Sequence, residues 1–256
     1  MICFAEKKDF RRIIELWHNI FGDSENIIEE FLNRFYKNVL LYLEGDKIVG
    51  MLSLLNLSQG KRTGYYVYAV ATDEKFRSKG IATALIEYAK NLCKKDEFLL
   101  LVPAEDSLFD FYKKLGFSEI SCIRKRNYMK TVIDARIPVL PISPTEFLIL
   151  RKEFFKNYDF IEWDIDILNL LHDVYGAKFI KFGDNAGFAV CEVFENFVSV
   201  KELCCAPHNI KIAMSSICKF FGRSIYSYTL PVKDIKPNAM SYGKKFKKPY
   251  FNLALD

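Results

Sequence analysis

The chain has 256 residues, of which 50% are hydrophobic and 27% are charged, and its formal net charge is +5 at pH 7. This composition excludes a disordered or fibrous protein, and the length allows one large domain or two modest domains that each bury a core. The basic excess is densest in the lysines between residues 244 and 248, a short run that is typical of a solvated surface, so we expect no nucleic-acid partner.

Hydrophobic spacing predicts that two amphipathic helices open the chain. Apolar residues recur at helical intervals from Phe10 to Phe21, and Asp23 or Ser24 can cap a second helix whose apolar face ends at Phe35. Beyond these helices, β-forming runs alternate with helical ones, and the turn at Gly45 joins two of the strands in a hairpin. The predicted elements are strands at 39–44, 47–57 and 65–71, a helix at 81–95, a strand at 97–102, a short helix at 108–115 and a final strand.

The segment 137–144 contains three prolines that interrupt the periodicity, and it is the predicted linker of the chain. Beyond it, the order of elements repeats that of the first half without repeating its sequence, which indicates a structural duplication. We therefore predict two domains, at 1–132 and at 133–256. The predicted elements of the second are helices at 145–157, 165–174 and 208–221 and strands at 177–182, 186–194, 197–203 and 225–229.

The segment that joins the strand at 65–71 to the helix at 81–95 has the chemistry of an anion site. A helix start exposes unpaired main-chain N–H groups and the positive end of the helix dipole, which suit a diphosphate. Gly80 lets phosphates approach the main chain without a Cβ atom in the way, and Arg77 and Lys79 can add charge-assisted hydrogen bonds. Taken alone, a glycine before a helix and two solvated surface cations are also common where nothing binds.

Two motifs relate this segment to a known family. The pattern R-x-x-G-x-A at 77–82 resembles motif A of the GCN5-related N-acetyltransferase (GNAT) superfamily, and the stretch at 103–117, with its terminal Y-x-K-x-G-F, resembles motif B. The resemblance covers about residues 1 to 130. It implies an α/β (α+β) fold, in which a mixed, mostly antiparallel sheet is flanked by helices and splayed open between its fourth and fifth strands.

The second half is identified by the same resemblance as a smaller, degenerate GNAT-like domain. Its helix start at 208 has neither the glycine nor the arginine of motif A. We therefore expect that this domain does not hold CoA and that it shapes the acceptor pocket instead.

The resemblance also implies that acetyl-CoA is the co-substrate and which residues bind it. In this superfamily, pantetheine pairs like an extra strand with the fourth strand, which here places it at Val70, Ala71 and Thr72. Ser78 and Ala82 replace glycines that are frequent in the family and leave the main-chain donors intact. The residues that carry over to the diphosphate are Arg77, Ser78, Lys79, Gly80, Ile81, Ala82 and Thr83.

The implied reaction is direct attack of a neutral amine on the acetyl thioester. It needs a donor to the oxyanion, which main-chain N–H groups near Val70 and Ala71 can supply, and an acid for the leaving thiolate. Tyr112 matches the motif B tyrosine that serves as this acid in many relatives, although it also lies on an apolar stripe and can be a core aromatic residue. The general base is left open between a water, Asp73, Glu74 and the terminal carboxylate of Asp256, the last by similarity to tandem acetyltransferases related to enhanced-intracellular-survival proteins.

The remaining chemistry-bearing residues carry weaker signals. Seven cysteines without CxxC pairs indicate reduced thiols, and the N-terminus resembles no signal peptide, so we expect a cytoplasmic protein without a membrane partner. Cys204, Cys205 and His208 have no evident fourth ligand, so we predict no metal. The acidic and aromatic patch at 162–166 can attract a cationic amine or simply cap a helix.

We predict an N-acetyltransferase that moves an acetyl group from acetyl-CoA to a primary amine of a small molecule or peptide. The alternative is a non-catalytic acyl-CoA-binding sensor or interaction protein, since motif A supports both and no base is evident. Neither the acceptor nor the oligomeric state is encoded in a recognisable motif.

Overall fold

The computed structural model describes residues 1–127, 137–183, 186–231, 236–243 and 250–252. Its strands follow the predicted order, with short additional strands at 2–4, 139–141 and 162–163 and a longer one at 236–243. The strands are β1 (Ile2–Phe4), β2 (Val39–Glu44), β3 (Lys47–Gln59), β4 (Arg62–Thr72), β5 (Phe98–Leu101), β6 (Ser118–Asn127), β7 (Val139–Pro141), β8 (Glu162–Trp163), β9 (Lys178–Phe182), β10 (Gly187–Val193), β11 (Phe197–Cys205), β12 (Ser224–Pro231) and β13 (Lys236–Gly243).

The helices begin and end at residues that cap them. Gly22 ends the first helix with a φ of 79°, a left-handed conformation that glycine adopts without strain. At the start of another helix, the Ser143 side chain accepts a hydrogen bond of 3.1 Å from the Glu146 N–H, and Pro144 follows in the first turn. The helices are α1 (Phe10–Phe21), α2 (Glu25–Phe35), α3 (Ile81–Leu92), α4 (Leu108–Lys114), α5 (Pro144–Phe155), α6 (Ile165–Asp173) and α7 (Ile210–Phe221).

The strands form one continuous sheet in the order β1-β2-β3-β4-β5-β13-β6-β12-β11-β10-β9-β7, with β8 paired to β3 beside this path. Within the described strands, neighbours are antiparallel except in the pairs β4–β5 and β11–β12. Each parallel pair is connected by one helix, α3 or α7, because parallel strands need a crossover connection. The mixed, mostly antiparallel α/β fold is therefore confirmed.

The two halves of the chain repeat one arrangement on either side of the sheet centre. Strands β1 to β5 succeed one another in the first half, as β7 and β9 to β12 do in the second. At the centre the halves exchange strands: β13 lies between β5 and β6, and β6 lies between β13 and β12. The predicted duplication is present, whereas the division into 1–132 and 133–256 stays a prediction, since its boundary lies outside the described residues.

The predicted linker at 137–144 contains a strand of its own. Within it, Val139–Pro141 pairs with β9 at the outer edge of the sheet. Proline is tolerated at such an edge because one side of the strand has no ladder to complete. The segment that the prolines indicate as a linker therefore also forms an edge strand.

Apolar side chains cover both faces of the sheet. One core cluster joins α1 and α2 of the first half to α5 and α6 of the second, so the two halves share a core on this face. Helices α3 and α4 cover the opposite face of the first half, and α7 covers part of the second. No helix among the described residues is long and apolar enough to span a membrane.

A buried ion pair fixes the end of the described chain to the second half. Arg151, on α5, donates to both carboxylate oxygens of Glu202 on β11, at 3.1 and 3.4 Å, and the two side chains are 1% and 0% exposed. The Tyr250 hydroxyl donates to the same carboxylate at 2.7 Å, and its ring stacks on Phe155. The segment 250–252 is thereby held against β11.

Removing one partner of this pair should destabilise the fold, because the other charge would stay buried without compensation. We expect Arg151→Met to lower the free energy of unfolding by about 3–5 kcal/mol, measured by chemical denaturation. In the matched double variant, Arg151→Met with Glu202→Gln, the charge is gone but an acceptor for Tyr250 remains, so much of the loss should be recovered. A double variant no more stable than the single one would contradict this account.

Candidate active site

The sheet opens between β4 and β5. The two strands pair only from Gly64 to Tyr66, and β4 then continues to Thr72 without a partner on β5. Close pairing before the opening depends on Gly64, since a Cβ atom there would lie 2.5 Å from the main-chain oxygen of Phe98. The gap lies between the fourth and fifth strands, as the resemblance implies.

A β-bulge lies on β4 beside this opening. Tyr68 is opposite Ser53 on β3 and Ala71 is opposite Met51, so that Ala69 and the residue after it face a single residue of the neighbouring strand. Ala69 has a φ of 50°, a left-handed conformation that is strained for a residue with a Cβ atom. The bulge turns main-chain groups out of the ladder at Val70, where the sequence predicts the oxyanion donor and the pantetheine contact.

The loop after β4 bends twice into the left-handed region before α3 begins. Ser78 has a φ of 61° and Gly80, the residue that caps α3, has a φ of 77°. The first helical hydrogen bond runs from the Ala84 N–H to the Gly80 oxygen at 2.9 Å, so the N–H groups of Ile81, Ala82 and Thr83 precede it. Such a curled loop at a helix start forms a main-chain cavity for anions.

The predicted cations flank this loop without entering a buried contact. The Arg77 side chain is 55% exposed, and its ion pair with Glu74 is 3.5 Å long. The Lys79 ammonium lies 4.6 Å from the centre of the Phe76 ring, and that of Lys47 lies 5.1 Å from the same ring. Exposed side chains of this kind can turn toward a phosphate at little cost.

The two carboxylates considered as bases are both engaged. Asp73 receives hydrogen bonds from Arg12 at 2.6 Å and from the Lys75 N–H at 3.1 Å. Burial acts to raise its pKa, but these hydrogen bonds and the charges of Lys47 and Arg12 outweigh it and hold the pKa below its ordinary value. Glu74 pairs with Arg77 in solvent. This geometry makes Asp73 a structural anchor for the loop, while Asp256 lies outside the described residues.

Tyr112 lies on α4, in the same core cluster as α3. Its side chain is 7% exposed and packs against Phe111 and Phe117. Burial raises the pKa of its hydroxyl to about 12, so the group stays protonated at neutral pH. The structure thus shows a core aromatic residue with a protonated hydroxyl, and the role of Tyr112 as the acid stays a prediction.

The sequence did not predict that four polar side chains come together on the other face of β4. The hydroxyl groups of Tyr68 and Tyr175 lie 3.4 Å apart, and the Trp17 indole N–H donates to the Asp23 carboxylate at 2.8 Å. The repeated tyrosines of YYVYAVA were the available signal, since residues 66 and 68 of a strand share a face. Their meeting with Tyr175 depends on the packing of the two halves and has no local signal.

The weaker candidates have ordinary structural roles in the described residues. Asp164 caps α6 by accepting from the Asp166 N–H at 3.0 Å, and Glu162 pairs with Lys152 at 2.9 Å. Cys204 is buried on β11. The patch at 162–166 is thus a capped helix start, one of the two interpretations left open.

The loop that precedes α7 in the second half differs from the loop before α3. Asn209, which precedes α7, has φ and ψ angles of −90° and −10°, and the described residues of this loop include no left-handed residue. The curled loop of the first half is therefore not repeated there.

Comparisons with known proteins agree with this geometry. Residues 11–132 match the model of the acetyltransferase (GNAT) domain. N-alpha-acetyltransferase 50 of Danio rerio is 27% identical over 124 residues, which cover 43% of this chain and 72% of that protein. A GCN5-related N-acetyltransferase from Anabaena variabilis shares the fold at a TM-score of 0.70 and 16% identity, covering 94% of this chain and 72% of that one. A second GCN5-related N-acetyltransferase, from Kribbella flavida, shares the fold at a TM-score of 0.68 and 14% identity. The match covers 94% of this chain and 71% of that one.

The described chain therefore shares the fold of solved GCN5-related N-acetyltransferases. Residues 11–132, a little under half of the chain, are similar to the acetyltransferase (GNAT) domain, which supports an acetyltransferase.

The anchoring role of Asp73 predicts a pH-dependent contribution to stability. Its pKa is lowered by folding from the usual 3.8, so the ionised carboxylate stabilises the fold above that pH, and the contribution is lost as the pH falls through the lowered value. We expect Asp73→Asn to lower the free energy of unfolding by about 1 kcal/mol at pH 7 and by less at a pH below 3.8, measured by denaturant titration. The solvent-exposed control Glu74→Gln should change little at pH 7; an Asp73→Asn effect equal at both pH values would contradict the prediction.

Proposed function

We propose that this protein is an N-acetyltransferase that moves an acetyl group from acetyl-CoA to a primary amine of a small molecule or peptide. The match of residues 11–132 to the acetyltransferase (GNAT) domain supports acetyl transfer in general. The observation that carries the finer proposal is the opening of β4 after Tyr66, directly followed by the left-handed loop at Ser78 and Gly80. An extended thioester arm and a diphosphate fit these two neighbouring features in that order.

The residues fit acetyl-CoA along its length. Main-chain groups of Val70, Ala71 and Thr72 can pair with the pantetheine amides as a further strand would. The N–H groups of Ile81, Ala82 and Thr83, with the loop at Ser78 and Gly80, suit the diphosphate. Arg77 and Lys79 belong to the same loop, and their exposed side chains can turn toward the diphosphate and add positive charge beside it.

Acetyl-CoA supplies the thioester, and the protein has to orient it and manage two proton transfers. The nitrogen of a neutral amine forms a bond to the acetyl carbon while the carbon–sulfur bond breaks. A main-chain N–H at the bulge near Val70 stabilises the charge that develops on the carbonyl oxygen. Tyr112 donates its proton to the departing sulfur, and water takes the proton that the amine loses.

The second half contributes to the acceptor side of this site. Its α6 packs with α1 and α2 in one core cluster, on the face of β4 opposite α3. This position supports the expectation that it shapes the acceptor pocket and holds no CoA of its own. A cytoplasmic location remains part of the proposal.

A non-catalytic sensor of acyl-CoA is the second candidate. The observation that favours it is that Asp73 forms ion pairs with Arg12 and Lys47. Asp73 is the first carboxylate after the gap in the sequence, and these ion pairs mean that it is not a free base. The two candidates agree on cofactor binding and differ on turnover, so they are tested separately.

Cofactor binding is tested at Gly80. Acetyl-CoA at a hundredfold excess over its dissociation constant should stabilise the native state by about 2.7 kcal/mol, seen as a raised melting temperature. We expect Gly80→Glu to abolish this response, because the side chain and its charge would lie at the diphosphate.

Gly60 is the matched control for this variant. It has a φ of 59° in the turn between β3 and β4, and a Cβ atom there would meet nothing within 4 Å, as at Gly80. Gly60→Glu therefore carries similar backbone strain and the same charge, yet it should respond to acetyl-CoA like the wild type. An equal response from Gly80→Glu would show that the diphosphate binds elsewhere.

Turnover is tested at Tyr112. Replacing it with phenylalanine keeps the core packing and removes the acidic proton, so we expect the rate of CoA thiol release in single-turnover experiments to fall about a hundredfold, with acetyl-CoA binding nearly unchanged. Tyr226→Phe, at a residue that is 61% exposed on β12, should leave the rate unaffected. An unchanged rate in Tyr112→Phe would remove this residue from the mechanism. If the wild type releases no thiol with any amine, the non-catalytic sensor is favoured instead.

A further inference from the structure

The face of β4 opposite α3 carries a polar cluster with no role in binding CoA. It consists of Asp23, between α1 and α2, Tyr68 on β4 and Tyr175, which follows α6. The two tyrosine hydroxyl groups lie 3.4 Å apart, and the Asp23 carboxylate accepts from the Trp17 indole at 2.8 Å. We call these three residues the acidic tyrosine cluster. It joins both halves of the chain.

Trp17 links Asp23 to the tyrosines, since its indole N–H donates to the Asp23 carboxylate and its ring lies 5.5 Å from that of Tyr68. Burial is the main cause that raises the pKa of Tyr68 and Tyr175, and the Asp23 carboxylate raises both further by its charge. The hydroxyls are therefore protonated at neutral pH, and their oxygens are partial negative charges beside a full one. Arg34, the cation on α2, is paired with Asp173 at 3.2 Å, and the Nδ1 atom of His18 lies 2.8 Å from the main-chain oxygen of Asp23.

Buried aromatic rings pack around Tyr68 in this cluster. The Tyr68 ring lies 5.5 Å from that of Trp17 and 5.7 Å from that of Phe31, and it stacks over Tyr66 at 6.0 Å. Ring faces carry partial negative charge and attract organic cations, most strongly where water is displaced. The combination of a carboxylate, two hydroxyl oxygens and ring faces is the chemistry that binds an alkylammonium group.

A buried hydroxyl without a partner lies on the same face of the sheet as Tyr68. Ser53, on β3, is directly opposite Tyr68, so both side chains lie on the same face of the sheet. Ser53 is 0% exposed, and its Oγ atom has no hydrogen-bond partner among the described residues. A buried hydroxyl without a partner is costly, which is expected where a ligand or water completes the site.

We propose that the acidic tyrosine cluster binds an ammonium group of the acceptor, and that the acceptor is a diamine or polyamine. This inference rests on the proposed function. Tyr68 directly precedes the bulge residue Ala69, but its hydroxyl lies a full side-chain length from the main chain where the thioester would be. The bound ammonium is therefore a second amino group, separated by several carbon atoms from the nitrogen that is acetylated.

Direct binding is measured with 1,5-diaminopentane and followed by tryptophan fluorescence, because the Trp17 indole is hydrogen-bonded to Asp23. The wild type should show a saturable change. Asp23→Asn keeps an acceptor for the indole but loses the charge, and it should bind about tenfold more weakly or worse. Tyr175→Phe should weaken binding in the same direction. Asp166→Asn, which removes one carboxylate at the far end of α6, should bind like the wild type.

Turnover gives the second readout. With acetyl-CoA, the wild type should have a kcat/KM for 1,5-diaminopentane at least about tenfold higher than for 1-aminopentane, and Asp23→Asn should lose this preference mainly through KM. The absence of saturable diamine binding, or equal binding by Asp23→Asn, would overturn the proposal. Failure of acetyl-CoA to raise the melting temperature would instead reject the proposed function, whereas equal transfer to both amines would reject only the diamine site.

Discussion

The parting of β4 from β5 after Tyr66 is the constraint on which the site depends. From Val67 to Thr72 the strand keeps β3 on one side and has no β5 partner on the other. A buried main-chain group left without a hydrogen bond costs about 1–3 kcal/mol, so such an edge is stable only where a ligand or water can pair with it. Gly64 holds the strands together before the gap, and the turn anchored by Asp73 fixes the strand after it.

In the second half, β11 and β12 also separate, but there another segment of the chain bonds to the open edge. Strand β11 leaves β12 after Val200, and the register with β10 shifts so that Lys201 is the extra residue. There the Asn252 side chain donates to the Lys201 oxygen at 2.8 Å, and the buried pair of Arg151 and Glu202 holds this segment in place. One scaffold thus appears twice in the chain, once with an edge that has no β5 partner and once with the edge bonded to the chain itself.

Local patterns predicted the elements well and the long-range pairing poorly. The helical spacing from Phe10 to Phe21, the turn at Gly45 and the glycine before α3 are set by neighbouring residues, and the structure has each of them. The exchange of β6 and β13, the strand within the proline-rich segment 137–144 and the approach of Tyr175 to Tyr68 depend on contacts between residues far apart in the chain. Hydrophobic periodicity indicates which face of a helix or strand is buried. It does not indicate which distant strand lies beside that element in the sheet.

The position of β13 has a consequence for biosynthesis. The strand that completes the sheet of the first half, between β5 and β6, is translated after almost all the rest of the described chain. While the ribosome is still making the second half, β5 and β6 have open edges in the nascent chain, and open edges invite pairing with other chains. The catalytic half cannot mature domain by domain from the N-terminus, so its folding is tied to the completion of its own duplicate.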